Sequence, residues 1–296
     1  MKKIKLQGTI TALVTPFKKD GSIDFASFDK LIDYQVENKI EGIVICGSTG
    51  ESATLTLKEK MALIVHTVEY AAGRILVIAG TGSNETEQSL NMTHYAYEHG
   101  ADAVLLVVPY YNKPTQDGLF EHFRLIAHSV DIPQILYNVP GRTGTNMLAE
   151  TQVRIAEECP TVIGTKEASG NLEQMMQIIK HAPNHFNLLS GDDVLTIPII
   201  SIGGKGIISV IANYAPKDFG ECVRLALRGK YSEAMKIHYQ LFELMKLNFI
   251  ESNPAPAKCA LSLMGKIKDS IRLPLLPVSI ENKKKIKEAL IKAELL

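Results

Sequence analysis

The sequence predicts an α/β fold: a closed (β/α)8 barrel of the TIM type with a C-terminal three-helix domain. Three observations carry this. Eight short apolar runs rich in β-formers recur, at 8–17, 42–46, 75–79, 103–108, 134–139, 162–165, 187–190 and 206–211. Each is followed by a stretch with helical periodicity. The runs are near-continuously apolar rather than alternating, as strands of a parallel sheet are when helices cover both of its faces. Eight such units in roughly 225 residues suit a closed barrel better than an open doubly wound sheet, which has fewer strands.

Taken in order, the elements carry their own punctuation. After the runs at 8–17 and 42–46, Thr56-x-x-Glu59 has the form of a capping box opening a helix. Met61, Ile64, Val65, Val68 and Ala72 mark one face of that helix, and Gly73 supplies a left-handed stop before the third run. Asn84-x-x-Glu87 reads as a second cap of the same kind. Beyond the eighth run, residues 227–296 lack a comparable strand and read as helices at 232–248, 255–264 and 279–293, the second introduced by Asn253-Pro254-Ala255-Pro256. Residues 1–226 are thus expected to form the catalytic barrel and 227–296 a helical domain.

Composition excludes several classes of function. With 32 Lys+Arg against 32 Asp+Glu the formal net charge is zero, so there is no clustered cationic excess to displace counterions from nucleic-acid phosphates. The basic run at 283–285 is relieved by Glu281 and Glu288 and reads as the solvated face of a terminal helix. The start of the chain, Met1-Lys2-Lys3, is basic, but Gln7, Gly8, Thr9 and Thr11 interrupt any apolar stretch that could act as a signal-peptide core. No apolar run approaches the ~18 residues of a membrane span. The four cysteines are scattered without a Cys-x-x-Cys pair, which fits a reducing cytoplasm. His181 and His185 have i, i+4 spacing but Pro183 lies between them, and the remaining histidine pairs are misphased, so no metal is expected.

In a barrel of this type chemistry gathers on the loops where strands end. Polar and glycine-rich segments fall there: Gly47-Ser48-Thr49-Gly50, Pro109-Tyr110-Tyr111-Asn112, the loop carrying Arg142, Lys166-Glu167, and the stretch from Ser190 to Asp193. Lys166 follows Val162-Ile163-Gly164-Thr165 and is placed to project into a partly enclosed barrel mouth. Desolvation there is what a lysine needs to act as an amine nucleophile toward a carbonyl. The alternative is a strand-end lysine paired with Glu167 or Asp192. Tyr137 ends the adjacent run, where its phenol could move protons beside the lysine nitrogen, or could simply pack. Ser48 and Thr49 offer hydroxyls just before a helix, suited to a carboxylate or phosphate, although taken alone the segment reads as a turn. Arg142 presents a fork for bidentate carboxylate recognition, or is an ordinary loop arginine.

Together these segments resemble a known family. Gly47-Ser48-Thr49-Gly50-Glu51-Ser52, Tyr137-Asn138-Val139-Pro140 and the lysine of Gly164-Thr165-Lys166-Glu167-Ala168 are similar to the pyruvate-dependent class I aldolases related to N-acetylneuraminate lyase. Pro109-Tyr110-Tyr111-Asn112-Lys113-Pro114, Gly141-Arg142-Thr143-Gly144 and the motif from Asn253 to Lys258 resemble the dihydrodipicolinate synthase (4-hydroxy-tetrahydrodipicolinate synthase) branch, over essentially the whole chain.

The resemblance implies a lyase without a cofactor. Lys166 would form a Schiff base with pyruvate, and its enamine would condense with L-aspartate 4-semialdehyde in the first committed step toward diaminopimelate and lysine. Tyr137, Thr49 and Tyr111 would relay protons, with Tyr111 inserted from a neighbouring subunit across the tight interface of a dimer of dimers, a homotetramer. Ser48 and Thr49 would hold the pyruvate carboxylate, Arg142 the carboxylate of the second substrate, and Gly191 and Ile208 would line the pocket through backbone groups. Members inhibited by lysine place histidines and a glutamate in an allosteric cleft where this chain has Leu57, Lys60 and Gln88, so feedback is expected to be weak or absent. The rival readings are another aldolase or lyase of the superfamily, and a non-catalytic sensor of small carboxylates.

Overall fold

A computed structural model describes residues 4–296; the basic start, Met1-Lys2-Lys3, lies outside the described residues. Eight parallel strands close into a barrel in chain order: β1 (Gly8–Ala12), β2 (Gly42–Ile45), β3 (Leu76–Gly80), β4 (Ala103–Val107), β5 (Gln134–Asn138), β6 (Val162–Glu167), β7 (Asn187–Ser190) and β8 (Gly206–Ser209). Gly8 pairs with Gly206 to seal the first strand against the last.

Side chains fill the barrel. Ile10, Val44, Ile78, Leu105, Ile135, Leu189 and Ile208 form an interior cluster, while a second apolar layer lies between the strands and the surrounding helices. Full burial of one such side chain contributes about 1.5–3 kcal/mol, so this double layer is the main source of cohesion. The C-terminal helices, Tyr231–Leu247, Ala255–Leu263 and Ile280–Lys292, join the outer layer through Leu241, Leu261 and Leu290. Along the last of them Lys285 pairs with Glu281 and Lys284 with Glu288, the expected solvated face. Among the described residues no helix is long and apolar enough to cross a membrane.

The boundaries differ from the sequence expectation in instructive ways. The first run stops pairing at Ala12 rather than at 17. Val14 turns its N–H to Asn213 Oδ1, Pro16 has no N–H to offer, and Phe17 bridges back to Ile23. The eighth stops at Ser209 because the N–H groups of Val210 and Ile211 go to the Asp193 carboxylate. The sixth instead runs longer, through Lys166 and Glu167, which pair with Tyr137 and Asn138 of β5.

The Thr56–Glu59 capping box is present. The next helix, Thr86–Glu98, is capped by Glu85 rather than Asn84: the Glu85 carboxylate accepts from the N–H groups of Glu87 and Gln88, and the Asn84 carbonyl serves Asn112. On helix Leu57–Ala71 the buried face is Leu63, Ile64, Thr67 and Ala71. It is rotated from the predicted stripe, leaving Met61, Val65 and Val68 half-buried at its border. Ala72 itself takes the left-handed cap, with Gly73 following in the same region.

Candidate active site

The C-terminal ends of the strands surround a cavity of about 580 Å³. Its wall includes Ser48, Tyr137 and Arg142 from the predicted set, together with Lys60, Tyr110 and Asn253. Arg142 is exposed, on a four-residue helical turn, Pro140–Thr143, closed by Gly144 with φ 70°. Lys166 and Thr49 are not part of this wall but contact residues that are, Lys166 the Tyr137 ring and Thr49 the Asn253 amide.

The Lys166 Nζ lies 4.3 Å from the centroid of the Tyr137 ring. A register shift makes this possible. Gln134 pairs with Val162, but Ile135 pairs with Gly164, so Ile163 is an extra residue in β6 and Lys166 comes level with Tyr137. Both side chains then face the barrel interior. Gly164 is required at the shift: a Cβ there would sit 2.3 Å from the Asn187 carbonyl oxygen.

Lys166 is 5% exposed and its acidic neighbours are engaged elsewhere. Glu167, one residue on, points to the opposite face of the strand, where its carboxylate accepts from Asn138, Gln152 and Gln174 and from the N–H of Ser169. Asp192 accepts from the N–H of Val194. Among the described residues neither carboxylate pairs with Lys166.

Thr49 is buried, and its Oγ1 accepts from Asn253 Nδ2 at 3.0 Å. Tyr111 behaves differently from the rest. It is 89% exposed and held at φ 72°, an unusual conformation for an aromatic residue, so its ring projects away from the chain's own cavity wall. Gly191 gives its N–H to the Glu167 carbonyl, and Ile208 is fully buried in the interior cluster. The cavity wall contains neither of them, nor Leu57, which is exposed beside it, whereas Lys60 and Gln88 do line it.

Charged groups inside the quoted motifs, with no role of their own read from the sequence, support the site. Lys258 and Glu51 form an ion pair with both side chains 1% exposed. Burial pushes the Lys258 ammonium down to about 8, against the attraction of Glu51. The fully buried Asp193 clamps the start of the segment after β8 through Ser209 and two backbone N–H groups; burial pushes its carboxyl up to about 6 despite those bonds. Among the described residues no cluster of three or more His, Cys, Asp or Glu side chains is placed to hold a metal ion.

Residues 5–293 match the model of the dihydrodipicolinate synthetase family. The chain belongs to that family. It is 47% identical to the 4-hydroxy-tetrahydrodipicolinate synthase of Hydrogenobaculum sp. strain Y04AAS1 over 98% of this chain and all of the relative. The crystal structure of dihydrodipicolinate synthase from Aquifex aeolicus superposes with a TM-score of 0.96 at 46% identity, covering 98% of this chain and 99% of that one. The Acinetobacter baumannii dihydrodipicolinate synthase, solved in complex with pyruvate, gives 0.96 at 41% identity, covering 99% of this chain and all of that one. As a member of the dihydrodipicolinate synthetase family the chain has its barrel, with the buried Lys166 at the C-terminal end of β6 against Tyr137, which lines the cavity.

Proposed function

We propose that this chain is a 4-hydroxy-tetrahydrodipicolinate synthase, a lyase that joins pyruvate to L-aspartate 4-semialdehyde. The observation that carries the reading is Lys166: an amine at a strand's C-terminal end, nearly buried, against the Tyr137 ring, with its neighbouring carboxylates turned away. An amine held at that position, with no carboxylate paired to it, is what addition to a keto carbon requires.

In this mechanism the Lys166 nitrogen adds to the pyruvate keto carbon, and the carbinolamine loses water to give the imine. Loss of a methyl proton gives the enamine, whose carbon attacks the aldehyde. The substrate's own amine then displaces Lys166 and closes the ring. Tyr137, Thr49 and Tyr111 move the protons these steps demand, the last reaching in from a second subunit of a cytoplasmic dimer of dimers. Ser48 and Thr49 hold the pyruvate carboxylate, and Gly191 and Ile208 shape the pocket behind it. Arg142, on the rim of the cavity, suits the carboxylate of the incoming aldehyde by its planar fork. Residues 1–226 carry this chemistry, and 227–296 brace it through Asn253 and Lys258.

The test is condensation assayed with pyruvate and a panel of aldehydes, on the native enzyme and on Arg142→Ala. Turnover with L-aspartate 4-semialdehyde, lost in the variant while pyruvate still forms its imine, supports the synthase. Preference for an aldehyde without a carboxylate would instead favour another aldolase of the superfamily.

A further inference from the structure

We infer that Asn253, in the segment leading to helix Ala255–Leu263, is a positioning residue for the reaction: its amide fixes the direction in which the Thr49 hydroxyl can pass a proton. The inference rests on the Schiff-base reading above.

A hydroxyl has one proton to give and two lone pairs to accept with, whereas an amide NH2 can only donate. Because Asn253 Nδ2 donates to Thr49 Oγ1 at 3.0 Å, one lone pair is occupied and the hydroxyl proton is turned to some other partner. Accepting that bond also polarises the O–H and makes it the better donor. Both residues are nearly fully buried, 5% and 4% exposed, and Asn253 forms part of the cavity wall.

Two further observations separate this role from simple packing. Asn253 Oδ1 is buried and has no hydrogen-bond partner among the described residues. A buried, unpaired carbonyl is destabilising, and an apolar side chain of similar size would avoid it, so stability alone does not account for an asparagine here. The contact is also tied down on both sides. Five residues beyond Asn253, Lys258 pairs with Glu51, two residues beyond Thr49, and Glu51 also accepts from the Arg272 N–H. The two loops are therefore held in register, and the Asn253–Thr49 bond is set rather than sampled.

The decisive variant is Asn253→Asp, nearly isosteric but with a carboxylate that can only accept. Thr49 must then donate to it, and its proton is withdrawn from the relay. We expect kcat to fall about 10-fold or more, with pyruvate still trapped on Lys166 by borohydride. The loss should ease at acid pH, where a protonated carboxyl can again donate. In a Thr49→Val background the same substitution should have little further effect. Unchanged kcat in Asn253→Asp, or an equal loss with and without the Thr49 hydroxyl, would overturn the inference. Should the carboxylate prevent folding, Asn253→Ala removes the donor without adding charge and is read by the same cycle. Absence of trapping in the native enzyme would be a failure of the Schiff-base reading, whereas intact trapping without coupling would be a failure of the Asn253 role alone.

Discussion

The Lys166 Nζ sits 4.3 Å from the centre of the Tyr137 ring, on neighbouring strands brought level by a one-residue shift. Without the shift Tyr137 would be level with Thr165, and Lys166 would be level with Asn138, on the outer face of the sheet. The contact restricts the long lysine side chain, so its nitrogen stays beside Tyr137, which lines the cavity.

The buried Lys258–Glu51 pair should be expensive to break and cheap to replace. Lys258→Met leaves the Glu51 carboxylate buried and uncompensated, and is expected to destabilise the fold by about 3–5 kcal/mol in urea unfolding. Adding Glu51→Gln should recover most of that loss. A single-variant effect below about 1 kcal/mol, the range of an exposed pair, would show that water reaches the pair.

Acid stability should depend on Glu59. Hydrogen bonds from Arg272 hold its carboxyl down to about 2, below the ordinary carboxylate value. Between about 4.5 and about 2 the unfolded chain therefore binds the proton more readily than the folded one, and stability is lost as pH falls through that window. With the side chain 26% exposed, solvent screening reduces the contribution to about 1–2 kcal/mol. Urea titrations at several pH values should show a shallower acid slope for Glu59→Gln. Parallel slopes would contradict the assignment.

Tyr111 should act across subunits. Its exposed ring and left-handed backbone suit delivery to a partner's cavity. Tyr111→Phe and Lys166→Ala should each be severely impaired, yet subunits of the two mixed by dissociation and reassociation should regain about a quarter of native activity, since half the random dimers carry one complete site. No recovery on mixing would place Tyr111 in its own subunit's site.

Feedback by L-lysine should be weak. Lys60 lines the cavity beside Gln88 and Tyr110, half-buried, so an incoming ammonium meets a cation there. Half-inhibition at submillimolar L-lysine would refute this.

The barrel and Lys166 were legible because buried parallel strands write themselves as apolar runs and the lysine interrupts one at its end. What lay beyond reading is long-range or local to the register. Ile163 as an extra residue decides that Glu167, and not Lys166, is the side chain that meets Asn138 and Gln152, and no periodicity reveals an insertion of one. Asn253 meets Thr49 from 204 positions away; its motif was visible, but its partner was not. The cap falls at Glu85 rather than Asn84 because the Glu85 carboxylate takes the N–H groups of Glu87 and Gln88, so the helix starts one residue later.

The measurement that bears most directly on the account is mass spectrometry after incubation with pyruvate and borohydride. A reduced pyruvate adduct on the peptide carrying Lys166, absent in Lys166→Ala, is the predicted result. No adduct, or an adduct on another lysine, would contradict it.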